Sequence, residues 1–125
     1  MRFFERLGLW IGRLVNRKEV KMTVIYGIKT CDTCRKALKA LSAELRDIRA
    51  EPLSAQDLER FHATFGDAIL NTLSTTWRGL SEGERSRAPL ALLADHPTLM
   101  KRPVIEKDGV LYLGWGKDVQ AAVLA

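Results

Sequence analysis

From Thr23 onward the apolar and polar positions fall into short segments, each with one period. Thr23–Tyr26 is a β-branched and aromatic run closed by Gly27, the pattern of a buried strand. Asp32 to Glu44 predicts a helix, with Ala37, Leu38, Leu41 and Leu45 supplying its inner stripe. Leu45–Arg49 predicts a second strand, with Leu45, Asp47 and Arg49 on one side and Arg46 and Ile48 on the other, ended by Pro52. Ser54 with Asp57 three positions later is a capping arrangement, followed by Leu58, Phe61 and Phe65 on one face, and Gly66 stops that helix. Asp67–Leu73 predicts a short helix and Ser74–Trp77 an irregular turn. Ser81 with Glu84 is a second capping box, and Pro89 is placed to open a helix through about Ala94.

A hairpin follows. Pro103–Glu106 and Val110–Leu113 flank Lys107-Asp108-Gly109, where Asp-Gly is a tight-turn signal, and Asp118–Leu124 forms a closing amphipathic helix. The order is β-α-β-α, an inserted helical segment, then β-β-α. That order predicts an α/β, thioredoxin-like fold with an inserted helical segment, over residues 22–125. No repeat, low-complexity tract or interdomain linker interrupts it.

Charge changes the picture only at the N-terminus. The chain of 125 residues carries a net charge of +5, and residues 1–21 hold six Lys/Arg and two Glu, a balance of +4 that leaves +1 for the rest. The body thus offers no electrostatic reason to bind nucleic acid. Phe3, Phe4, Leu7, Ile11, Leu14 and Val15 share one helical face of the segment, with Arg2, Arg6, Arg13 and Arg17 on the other. Its apolar run, Leu7 to Ile11 plus Gly12, is too short to span a bilayer, so stable membrane insertion is not expected. Three readings of this amphipathic basic extension stay open: an upstream extension with Met22 as the natural start, a surface helix packed on the body, or a weak membrane-surface anchor.

The candidate chemistry lies at the first strand–helix junction. Cys31 and Cys34 are the chain's two cysteines, in a CxxC spacing. In a chain without a convincing export signal this reads as redox-active or metal-binding, in the cytoplasm. Cys31 falls at or just before the first helical turn, where unpaired N–H groups and the helix dipole favour negative charge, and such positions bring a thiol from about 8.5 into the range of roughly 3.5–7.5. Lys29 and Arg35 assist the shift and Asp32 opposes it. Three-residue spacing puts Cys34 on the same face, within reach of a mixed disulfide on Cys31. Zinc would need two more ligands, and His62 and His96 have no partner at metal spacing, so no metal is expected. Arg102-Pro103 is a candidate cis peptide at a strand start. In a thioredoxin-like architecture a cis-proline loop faces the CxxC, which sets the Arg102 guanidinium beside the thiolate; the plain alternative is a solvated Arg102 before a strand-opening Pro103.

The stretches "YGIKTCDTCRKA", "LNTLSTTWRGL" and "HPTLMKRPVIEKDGVLYLGW" together resemble the arsenate reductase/Spx family of thioredoxin-fold proteins, over roughly Met22 to Ala125. Within it the chain is most similar to a small bacterial arsenate reductase-like group proposed to be glutathione-dependent thiol reductases. The resemblance implies that Cys31 is the catalytic cysteine and Arg102 an anion-binding arginine before the cis-proline. Two further arginines used by glutaredoxin-coupled arsenate reductases fall on Asn71 and near Trp115, which removes most bidentate oxyanion recognition. It also implies glutathione as co-substrate with no bound cofactor, and glutathione, glutaredoxin or thioredoxin as electron donor. Spx-type regulators, which bind RNA polymerase, carry a CxxC switch at this place, so a redox-sensing regulator is the rival reading. Asn71, Thr75 and Thr76 are candidate neutral hydrogen-bonders for the thiol site, or plain turn residues. Trp77 and Trp115 read as core.

Overall fold

The computed structural model describes residues 23–125, and the basic extension lies outside them. Four strands form one sheet: β1 (Thr23–Gly27), β2 (Glu44–Asp47), β3 (Val104–Lys107) and β4 (Val110–Leu113), in spatial order β2-β1-β3-β4. β1 and β2 run parallel, joined by helix α1 (Asp32–Leu41), while β1–β3 and β3–β4 are antiparallel. Between β2 and β3 the chain forms α2 (Ala55–Phe65), α3 (Thr75–Arg78), α4 (Glu82–Arg85) and α5 (Pro89–Asp95), with single 3-10 turns at Gly66–Ile69 and Pro97–Leu99; α6 (Lys117–Leu124) closes the fold.

Strand alternation splits the core into two layers. Ile25 pairs with Leu45 and Ile105, and Ile105 with Tyr112, so these four share one face, which α1 and α6 cover with Ala37, Val119 and Val123. Tyr26, Val104 and Leu113 take the other face, under Leu58 and Phe61 of α2 and Leu92 and Leu93 of α5. Each fully buried Ile or Leu contributes about 1.5–3 kcal/mol. The Tyr26 and Phe61 rings meet edge to face at 5.0 Å between centroids. At the rim of this layer Glu106 accepts from the Tyr26 hydroxyl and from Arg60, which also donates to Asp57.

The structure shifts several predicted boundaries, each for a local reason. α1 ends at Leu41 rather than Glu44, because Ser42 turns left-handed (φ 49°, ψ 45°) and frees Glu44 to pair with Val24. β2 stops at Asp47 rather than Arg49. The Asp47 carboxylate accepts the N–H groups of Arg49 and Ala50, which turns the chain. The predicted helix at Asp67–Leu73 is instead the 3-10 turn Gly66–Ile69, after which Leu70 bridges to Met100. The predicted irregular turn Ser74–Trp77 is instead the start of α3, capped by Ser74 Oγ accepting from the Trp77 N–H at 3.1 Å. In the hairpin both Asp108 (φ 51°) and Gly109 (φ 85°) are left-handed, as the Asp-Gly signal requires.

One close approach couples the fold to the cysteine pair. A Cβ added at Gly27 would lie 2.3 Å from Cys34 Sγ, so α1 seats its thiol directly on the β1 backbone. Gly27→Ala is expected to destabilise the fold by about 1–3 kcal/mol, and Cys34→Ala in the same chain to recover most of that loss. Urea unfolding of the two single variants and the double variant checks it; an equal cost of Gly27→Ala with and without the Cys34 sulfur would contradict the contact.

Candidate active site

Cys31 lies in the turn that carries β1 into α1. Its N–H donates to the Ile28 carbonyl at 2.9 Å, its own carbonyl accepts from the Arg35 N–H at 3.0 Å, and it stands at the N-cap of α1 in extended backbone. A cysteine there has no oxygen with which to cap the helix, and the first-turn N–H groups stay without a side-chain cap hydrogen bond, beside the sulfur. The side chain is half-buried, whereas Cys34 is buried, and both thiols are free.

Burial by itself pushes the Cys31 thiol up, yet its pKa is held below the ordinary value. The Cys34 N–H, the Cys34 thiol, the Arg102 guanidinium and the Thr33 N–H, all donors beside its sulfur, favour the charged form and outweigh the burial. Cys34 goes the opposite way. Burial first, helped by the neighbouring Cys31 sulfur, pushes it up to about 11 despite a hydrogen bond from the Ile28 backbone. The two thiols therefore take unequal parts: Cys31 is the more readily ionised and Cys34 the one that keeps its proton beside it. Arg35 and Asp32 pair with each other at 2.7 Å on the solvent side, which takes both away from the sulfur.

The Arg102-Pro103 bond is cis, as its sequence predicts, and Pro103 is buried. Two contacts bring the inserted segment to this loop: Asn71 N–H donates to the Leu99 carbonyl and Lys101 N–H to that of Ile69, around the Leu70–Met100 bridge. Arg102 Nη1 donates to the Thr98 carbonyl at 2.9 Å, which aims the guanidinium at Cys31. Its Nε is buried and has no protein partner among the described residues.

The structure thus gathers Cys31, Cys34 and Arg102, with the buried Pro103 next to Arg102 in the chain. Thr76 reaches Arg102 only through Thr98, whose Oγ1 lies 3.0 Å from its own. Asn71 is engaged in its own turn, with Oδ1 accepting from the Leu73 N–H and its carbonyl from Ser74. Thr75 is the exposed first residue of α3, and the Lys29 side chain is exposed. Trp77 packs against the layer under α2 and α5, and Trp115 against the one under α1 and α6. His62 lies against Asp67 and His96 against Glu84, and no metal-binding cluster occurs among the described residues. Sequence reasoning missed Thr98 and Asp47. Thr98 acts through its own carbonyl and Asp47 through backbone N–H groups, one of them in the distant Lys29 loop, and no periodic pattern marks such contacts. Gly27 was visible only as a strand end.

A mixed sheet, a thiol pair at the start of a helix and a cis-proline loop opposite it define a thioredoxin-like protein of the arsenate reductase type. A model of the ArsC family matches residues 26–123, and the chain belongs to that family. An uncharacterized protein of Haemophilus influenzae is 41% identical over 112 residues, covering 81% of this chain and 98% of its own length. The global transcriptional regulator Spx of Bacillus subtilis is 30% identical over 109 residues, covering 78% of this chain and 82% of Spx. Among solved structures, the YffB protein superposes with a TM-score of 0.74 at 34% identity, over 82% of this chain and 99% of that one. An arsenate reductase-related protein from Brucella melitensis gives 0.64 at 34% identity, over 85% and 97%.

Arg102→Ala removes a cation and a hydrogen bond that favour the Cys31 thiolate, so its titration midpoint moves up. Iodoacetamide alkylation at a pH below that midpoint is expected to slow roughly fivefold, the equivalent of about 1 kcal/mol. An unchanged rate would separate Arg102 from the sulfur.

Proposed function

We propose that this protein is a glutathione-dependent thiol–disulfide oxidoreductase working in a reducing compartment such as the cytoplasm, with Cys31 as the nucleophile. The supporting observation is the half-exposed Cys31 sulfur at the start of α1, its pKa held below the ordinary thiol value by helix N–H groups, a buried thiol and a guanidinium. The Cys31 thiolate attacks one sulfur of a disulfide or glutathione-mixed disulfide. That S–S bond breaks, a Cys31 mixed disulfide forms, and the other sulfur leaves as a thiolate. When the adduct on Cys31 is glutathione, a second glutathione thiolate attacks the glutathione sulfur, oxidised glutathione leaves, and Cys31 returns as the thiolate. Alternatively Cys34 attacks Cys31 and expels the adduct, leaving a Cys31–Cys34 disulfide that glutathione, glutaredoxin or thioredoxin reduces.

Cys34 is buried and holds its proton to about pH 11, which favours glutathione as the resolving thiol and gives Cys34 first the role of donor to Cys31. The half-buried Arg102 guanidinium beside Cys31 supplies positive charge suited to an anionic co-substrate such as a tripeptide with free carboxylates. The neutral Asn71 at one family arginine position argues against arsenate as the main substrate.

Cys31→Ser is expected to lower turnover of a glutathione-mixed disulfide by about 1000-fold or more, and Cys34→Ser to retain a glutathione-dependent rate within about tenfold of the parent. A coupled assay with glutathione checks both, and undiminished activity in Cys31→Ser would remove the enzyme reading. The likeness to Spx supports a second, non-enzymatic reading, in which oxidation of Cys31 and Cys34 alters affinity for RNA polymerase. A pull-down in both redox states separates the two: polymerase retained by only one redox form favours the regulator.

A further inference from the structure

Two loops meet beside Cys31, and a single carboxylate joins them. Asp47, the last residue of β2, accepts the Lys29 N–H on Oδ2 at 3.0 Å. Its Oδ1 accepts the N–H groups of Arg49 at 2.9 Å and Ala50 at 3.2 Å. Lys29 lies inside the four-residue turn, Ile28 to Cys31, that delivers the thiol to the helix. Two other contacts run between the same loops: Ile48 N–H to the Gly27 carbonyl at 2.8 Å, and Arg49 Nη2 to Thr30 Oγ1 at 3.3 Å. Gly27, Lys29 and Thr30, all within four residues of Cys31, are thus anchored to Asp47 or its neighbours.

We propose that Asp47 is a positioning residue for Cys31: by clamping the Lys29 amide to the loop after β2, its carboxylate fixes where the sulfur sits relative to the first-turn N–H groups of α1. Those N–H groups act on the thiolate only at hydrogen-bond range and in line, so a loosened turn weakens them before it affects the core. The carboxylate accepts three N–H groups on two oxygens, and an amide in its place has one acceptor and presents two donors to the same amides. The inference rests on the nucleophilic role of Cys31 proposed above, and the Asp47 carboxylate itself touches neither sulfur nor substrate.

The sign of the effect separates positioning from simple electrostatics. Removing a negative charge near a thiolate lowers the thiol's pKa, whereas loosening the turn raises it. The test titrates the thiolate absorbance at 240 nm in the full chain and in Asp47→Asn, both with Cys34→Ala so that one sulfur is read. The expected result is a midpoint that moves up in Asp47→Asn, with the thiolate fraction below it falling about threefold. An unmoved or lowered midpoint overturns the positioning role, even if the variant is less stable. An ordinary Cys31 midpoint in the parent chain with both cysteines, read by cysteine-selective NMR, contradicts the nucleophile reading instead, so the two failures are distinguishable. Should Asp47→Asn not fold, amide hydrogen exchange of the parent decides. Protection of the Lys29 N–H supports the clamp, and exchange at the rate of an open chain overturns it.

Discussion

A thiolate half-sunk in protein is unfavourable unless something replaces the water it loses, and at Cys31 the replacement is a set of neighbouring donors. Each donor has a separate structural origin. The Thr33 and Cys34 N–H groups exist as free donors because a helix begins there. The Cys34 thiol is near enough because Gly27 has no side chain to hold α1 away from β1. The Arg102 guanidinium arrives on a loop whose preceding residues are tied to the inserted helical segment. Sheet, helix and insertion together hold the pKa of one sulfur down.

The same arrangement explains why two cysteines in one short motif behave so differently. Both feel burial, which disfavours charge. The amides of Thr33 and Cys34, the Cys34 thiol and the Arg102 guanidinium favour charge at Cys31, whereas at Cys34 only the Ile28 backbone and the Arg102 charge do, against burial and the neighbouring sulfur. The asymmetry sets a direction for the chemistry: attack from the outer sulfur, with the inner one supplying a proton first and a resolving thiol only later.

Much of this was legible in the sequence, and the parts that were not share a cause. The Thr23–Tyr26 run, the helical stripe through Ala37 and Leu41, and the Asp-Gly hairpin all carry periodic or turn-chemistry signals, and the structure has those elements. So does the junction chemistry, since a cysteine before a helix and an arginine before a proline are readable from adjacent residues. The Ser74 cap was present in the letters, but a single-turn helix gives no periodicity to confirm it. Leu70 pairs with Met100 across 30 positions, which dissolves the helix predicted through Leu73. Asp47 read as one residue of an alternating strand, and its three amide contacts depend on where two loops end up. Charge at the N-terminus pointed to a separate segment, and that reading falls outside the described residues.

The central claim is that the two thiols titrate in a fixed order, Cys31 first. Selective ¹³Cβ labelling of cysteine in the full reduced chain, followed by NMR from acid to alkaline pH, reads each sulfur separately. The account predicts that the Cys31 resonance shifts with a midpoint below the ordinary thiol value, while Cys34 stays protonated until about pH 11. Cys34 ionising first, or both at the ordinary value, would contradict it.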